Sequence, residues 1–121
     1  MSSTSWINRD KRLAIYDRDD FKCLWCGKRL FIGIDRLSLD HLKPRTKNGK
    51  HHESNLITSC ESCNSSRQDK PWKKFAANND VIAKINKHRR RSIKSRRKFA
   101  KKVIEAADSW EESLLSALYD D

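Results

Sequence analysis

Little in this chain bends, spans or fills. Three glycines and two prolines in 121 residues exclude a collagen-like chain or a Gly/Pro-rich flexible polymer. No apolar run approaches the roughly 20 residues of a membrane helix, and residues 1–6 hold no apolar segment of the kind that directs export. A reducing intracellular setting, cytoplasmic or nucleoid-associated, is therefore expected, with no membrane partner. In that setting thiols hold metal more readily than they form disulfides. Hydrophobic residues make up only 36%, which limits the chain to a small core in need of a staple. Basic residues also run out. After residue 104 there are six acids and no lysine or arginine, so the formal charge of +11 for the whole chain rises to +17 over residues 1–104. A segment that basic selects a polyanion, most simply nucleic acid.

What the chain does have is four cysteines in one pattern. Cys23-Leu24-Trp25-Cys26 and Cys60-Glu61-Ser62-Cys63 are two C-x-x-C pairs with 33 residues between them. A C-x-x-C pair in a tight turn aims two thiolates at one point, and two pairs complete a tetrahedral site. Two disulfides, or four unrelated buried cysteines, would leave the shared spacing unexplained. A structural Zn²⁺ held by Cys23, Cys26, Cys60 and Cys63 is expected, with Trp25 shielding it.

Taken in order, residues 8–19 read as a short helix capped by Asn8, with Leu13, Ile15 and Tyr16 turned to the core. Gly27 supplies the positive φ that a metal knuckle commonly needs. Residues 30–34 are apolar and glycine-broken, an irregular strand or turn in the core. Leu37-Ser38-Leu39-Asp40-His41-Leu42 alternates as a strand, with His41 on the leucine face and Asp40 on the other. Pro44 stops it, and residues 43–50 form a basic loop with Asn-Gly at its tip, where Arg45 and Lys47 can grip a backbone phosphate. Of His51 and His52, at most one is expected to work, with His52 favoured for orienting the loop or meeting phosphate. Residues 56–58 return as a strand, and a helix from Cys60 to Arg67 puts Cys60, Cys63, Asn64 and Arg67 on one face. Arg67 is placed there to hold a phosphate oxygen. Residues 78–80 mark a boundary, so the expected units are 1–78 and 79–121. The second is a long basic helix, with Ser92 and Ser95 as places where it can break, followed by a short acidic amphipathic tail. Ten of the sixteen residues 87–102 are Lys or Arg, and Arg89, Arg90, Arg91, Arg96 and Arg97 are expected along a duplex backbone. The tail can dock on the core, fold back on the basic helix, or contact a second copy or an assembly partner.

Asp40-His41, Asn55 fourteen residues later and Asn64 directly after the last cysteine form an order that resembles the HNH endonucleases. The branch it resembles has a ββα-metal core stapled by a Cys₄ zinc. The resemblance covers roughly the first two-thirds of the chain. It departs at the third signature position, often His in the family and Asn64 here, which makes this an H-N-N variant.

The resemblance implies an α+β fold, with a small ββα core, an N-terminal helix and a basic helical extension. It implies metal-dependent hydrolysis of phosphodiester bonds in double-stranded DNA, with His41 as general base and Asn55 holding the loop that aims it. One divalent cation would sit between Asp40 and Asn64, and a carboxylate with an amide oxygen suits Mg²⁺ or Mn²⁺. The alternative is a non-catalytic zinc-stapled module that binds nucleic acid, and a third reading is a packaging or assembly factor dominated by the basic helix.

Overall fold

The computed structural model describes residues 7–107; the acidic tail expected from residue 109 lies outside them. Helix α1 (Arg9–Arg18) buries far more than the expected stripe: Arg12, Leu13, Ala14, Ile15, Tyr16 and Arg18 are all enclosed. The reason is tertiary, because α1 lies between strand β2 (Leu56–Cys60) on one side and helix α5 (Lys94–Ala107) on the other. Asn8 takes the N-cap position without a side-chain cap bond.

Strand β1 (Leu37–His41) pairs antiparallel with β2, Leu37 opposite Cys60 and His41 opposite Leu56. The chain then passes without a loop into helix α2 (Glu61–Arg67), and the Cys60 sulfur caps that helix by accepting the Cys63 N–H at 3.4 Å. These three elements make a ββα unit in an α+β fold. Alternation along β1 does not separate a wet face from a dry one. Ser38 and Asp40 are buried as well as Leu37 and Leu39, since α2 covers the side that the leucines leave.

Two short devices shape the segments that flank β1. Gly27 takes the expected left-handed φ of +80° after Cys26, and its N–H bonds the Cys23 carbonyl at 2.8 Å. Gly49 is required by contact, because a Cβ there would stand 1.7 Å from the Lys43 carbonyl oxygen. Residues 30–34 depart from expectation: Leu30 is buried, but Phe31 and Ile34 are 53% and 83% exposed.

Beyond α2, a single turn α3 (Trp72–Phe75) follows Pro71, and helix α4 (Asn79–Arg89) starts at Asn78, whose side chain accepts the Val81 N–H at 3.0 Å. The basic helix is thus two helices, with the break at residues 90–93 close to Ser92. Neither is a free appendage, since Ile85, Ile93, Ala100 and Ile104 belong to the same core cluster as Ile15, Leu24, Leu56 and Ile57. Each fully buried isoleucine adds roughly 1.5–3 kcal/mol of burial. A polar joint reinforces the packing at the end of α1. Buried Arg18 pairs with Asp19 at 2.8 Å and donates to the Leu56 carbonyl at 2.7 Å. Asp19 in turn accepts the Thr58 N–H at 2.9 Å. Burial raises the Asp19 carboxyl, but hydrogen bonds from His88 and Arg18 outweigh it and hold the group below its ordinary value.

Candidate metal centre and active site

The turn around Gly27 and the N-terminus of α2 bring the four sulfurs together. Cys23, Cys26, Cys60 and Cys63 each offer one Sγ, all within 4.8 Å of one another. A tetrahedral site with Zn–S bonds of about 2.3 Å needs sulfurs about 3.8 Å apart, so the cluster fits one zinc. The Leu24 N–H bonds the Thr58 carbonyl at 3.1 Å and fastens the first knuckle to β2. Burial pushes the thiols of Cys23 and Cys63 up, whereas at Cys26 burial is outweighed by hydrogen bonds from the Lys28 backbone and the other cysteines, which bring it down. Four thiolates this close repel one another unless a cation lies between them. Zinc would supply that cation and turn its binding energy into folding energy.

Helix α2 carries Arg67 as well as the last cysteine, and so ties the metal cluster to the end of β1. The sequence places Arg67 at a phosphate, and the structure corrects this: the residue is fully buried. Its Nη1 donates to Asp40 Oδ1 at 2.7 Å and to the His41 carbonyl at 2.5 Å, its Nη2 to the Leu42 carbonyl at 2.6 Å, and its Nε to the Lys70 carbonyl at 2.9 Å. It works as a staple between the end of β1 and the end of α2. Trp25, buried between the first two cysteines, also reaches Asp40. Its indole N–H donates to Asp40 Oδ2 at 3.0 Å, and its ring packs edge-on against Phe75 at 5.0 Å.

Asp40 is therefore engaged at both oxygens and only 5% exposed. Burial raises its carboxyl, while Arg67 and Trp25 pull against that rise. Asn64 lies one helical turn before Arg67, and its Nδ2 donates to Ser38 Oγ at 3.0 Å. The oxygen donors of Asp40 and Asn64 suit a hard divalent cation by type. As arranged, they do not fit one: the guanidinium already neutralises Asp40, and a second cation on the same oxygen would meet its charge at short range. Among the described residues, the cysteine cluster is the one group of three or more His, Cys, Asp and Glu positioned for a metal.

His41 ends β1 on the opposite side. Its Nε2 stands 3.0 Å from Nδ1 of His51, with the rings edge-on and 5.2 Å between centroids. The loop that delivers His51 is tied by Asn55. That side chain accepts the Lys43 N–H at 2.8 Å and donates to the carbonyls of Lys43 and Lys50 at 3.1 and 2.9 Å. Burial lowers the His41 pKa to about 4, and His51, Arg45, Arg12 and Arg67 contribute to that fall by charge. His41 is therefore neutral near pH 7. His51 is lowered for the same reasons, burial first and then Arg45 and Lys11. An Arg45 guanidinium N–H meets His51 Nε2, and the Lys11 ammonium meets the His51 carbonyl.

The histidine favoured by the sequence is the other one. His52 Nδ1 accepts the Ser54 N–H at 3.1 Å and so caps the turn before β2, while His51 reaches His41. No periodicity marks His51, because the loop between the two rings decides where it points. Buried Arg12 escapes a sequence reading for a similar reason.

The expected backbone-gripping arginines divide. Arg45 and Lys47 are exposed on the loop, and Arg90 is exposed after α4. Arg96 and Arg97 pair instead with Asp17 at 3.2 Å and Asp10 at 2.8 Å on α1. Arg89 and Arg91 donate to the carbonyls of Ser54 at 3.0 Å and Arg18 at 3.3 Å. The cations that α5 turns to solvent are Lys94, Lys98, Lys101 and Lys102. No helix among the described residues is long and apolar enough to cross a membrane.

No curated protein and no solved structure matches the chain. Residues 23–70 match the family model described as HNH endonuclease, a span that takes in both cysteine pairs, Asp40, His41, Asn55, Asn64 and Arg67. The ββα unit and its cysteine cluster thus fall in the span that is similar to HNH endonucleases.

Proposed function

We propose that this protein hydrolyses phosphodiester bonds of double-stranded DNA, with His41 as the general base. The observation that carries the reading is the loop clamp. Asn55 ties the loop at three backbone groups, and the clamped loop sets a neutral His41 beside Arg45 and His51 on a cationic face.

Hydrolysis needs a proton acceptor for the attacking water and positive charge at the phosphate. A neutral imidazole accepts the proton. The cationic surroundings that keep it neutral also weaken it as a base, and an arriving phosphodiester anion would offset them. Arg45 and Lys47 supply charge from the loop, and the exposed lysines of α5 add affinity that does not depend on sequence. The cysteines hold structural zinc and with it the hairpin, and Asn55 acts by aiming His41.

The H-N-N resemblance of His41, Asn55 and Asn64 implies one Mg²⁺ or Mn²⁺ at Asp40 and Asn64, a pair that as arranged does not fit one. Arg67 on Asp40 stands against that part of the reading and favours a second one, a zinc-stapled module that binds nucleic acid without cleaving it. The test is plasmid cleavage by zinc-loaded protein with Mg²⁺, with Mn²⁺ and with a chelator, zinc content being measured throughout. Wild type is expected to cut with an added divalent ion, and His41→Ala to lose 10²–10⁴-fold in rate while still binding duplex. Wild type and variant equally inert, yet both bound to duplex, would establish the binding module.

A further inference from the structure

We propose that His51 is the positioning residue for His41. We further propose that Arg45, by fixing the direction of the hydrogen bond between the two rings, links a phosphate at Arg45 to the nitrogen on which His41 carries its lone pair. The geometry stands by itself; its consequence for rate rests on the nuclease reading above.

The direction follows from what each group can do. Arg45 Nη1 meets His51 Nε2 and lies 3.4 Å from Nδ1. A guanidinium only donates, and with Nδ1 turned to His41 the nearer Nε2 is the acceptor. A neutral His51 then carries its proton on Nδ1 and donates it across the 3.0 Å contact to His41 Nε2. His41 is left as the Nδ1–H tautomer, its lone pair covered by His51. A metal ion between the two rings would meet the charges of Arg45 and Lys11, so the surroundings select an anion. Arg45, Asn48, Gly49, Lys50 and His51 line an open recess of about 260 Å³ on that side, the place for a phosphate group.

A phosphate oxygen is an acceptor and competes with His51 for Arg45. Once Arg45 turns to phosphate, the chain can reverse. The His51 Nδ1 proton passes to His41 Nε2, the His41 Nδ1 proton leaves to water, and His51 Nε2 takes a proton from water. Three transfers leave both rings neutral. The lone pair of His41 now lies on Nδ1, away from His51 and able to accept a proton from the attacking water. In this arrangement the base is uncovered only when a phosphate is present.

The experiment has two arms on the zinc-loaded full chain. In the first, ¹⁵N NMR reads the His41 tautomer with and without a short duplex, in buffer without added divalent ion. Wild type is expected to move from Nδ1–H to Nε2–H on adding duplex, His51→Ala to show no such switch, and Arg45→Gln to lose the Nδ1–H preference already in the free protein. In the second, cleavage by His51→Ala is expected to lose about 10–100-fold in kcat, the usual scale for an orienting partner, with KM changed less than about twofold. His51→Asn, whose amide can donate or accept near the Nδ1 position, is expected to recover part of that loss; it serves both arms if the alanine variant does not fold. A wild-type tautomer unmoved by duplex, or one that behaves identically without His51, overturns the proposal. A loss confined to KM overturns it as well. If wild type does not cleave at all but the tautomer switch occurs, the nuclease reading falls and the positioning stands.

Discussion

Arg67→Met separates a structural arginine from a phosphate contact. The substitution keeps most of the side-chain volume but removes every donor. Asp40 would stay buried with Trp25 as its remaining described partner, and the carbonyls of His41, Leu42 and Lys70 would each lose a donor. Breaking a buried ion pair by removing one partner costs about 3–5 kcal/mol. For a domain of this size, a kilocalorie corresponds to roughly 3–5 °C, so the melting temperature should fall by roughly 10–25 °C. The assay is thermal unfolding of zinc-saturated protein followed by circular dichroism. Adding Asp40→Asn to Arg67→Met should cost less than the two single changes together, because the pair is coupled. A surface arginine on DNA predicts the reverse: stability changed by less than about 0.5 kcal/mol and a salt slope of duplex binding reduced by about 0.9. That pair of results would refute the reasoning.

The other predictions follow from the same contacts. Metal analysis of folded, reduced protein should find one zinc per chain, and replacing any of Cys23, Cys26, Cys60 or Cys63 with Ser should unfold the core; a folded protein without metal would contradict both. His41 has a pKa of about 4 in the fold against 6.5 ordinarily, so as pH falls the unfolded chain takes up its proton first. Its contribution to stability is lost between about pH 6.5 and 4, with a slope of at most about 1.4 kcal/mol per pH unit. His41→Gln should flatten that part of the urea-midpoint profile, and an unchanged profile would show that His41 is not held neutral. Changing Lys94, Lys98, Lys101 and Lys102 to Gln should weaken duplex binding and lower its salt slope by up to about 3.6, at about 0.9 per phosphate contact, whereas an unaltered slope would clear α5 of DNA contact. Deleting residues 79–121 is a poorer test, because Ile85 and Ile104 would leave the core.

Much of the candidate site is legible in the order of the residues alone. The paired cysteines declare themselves through spacing, because two ligands in one tight turn must share a short local pattern. Gly27 and the cap at Asn78 are local in the same sense, as are the Asp40-His41 strand end and the run from Cys60 into α2. What stays hidden involves choosing among similar residues. The chain offers 27 lysines and arginines, and nothing in their order says that Arg67 turns inward to Asp40 while Arg45 stays at the surface. That choice depends on partners brought from afar: Asp40 and Arg67 are 27 residues apart, and Asp10 and Arg97 are 87 apart. His51 and His52 look equivalent in the sequence, yet adjacent residues diverge, and only the loop closed by Asn55 decides which ring meets His41. Local chemistry is written along the chain, whereas the burial of a charge is decided by packing, since desolvation depends on everything that surrounds the group.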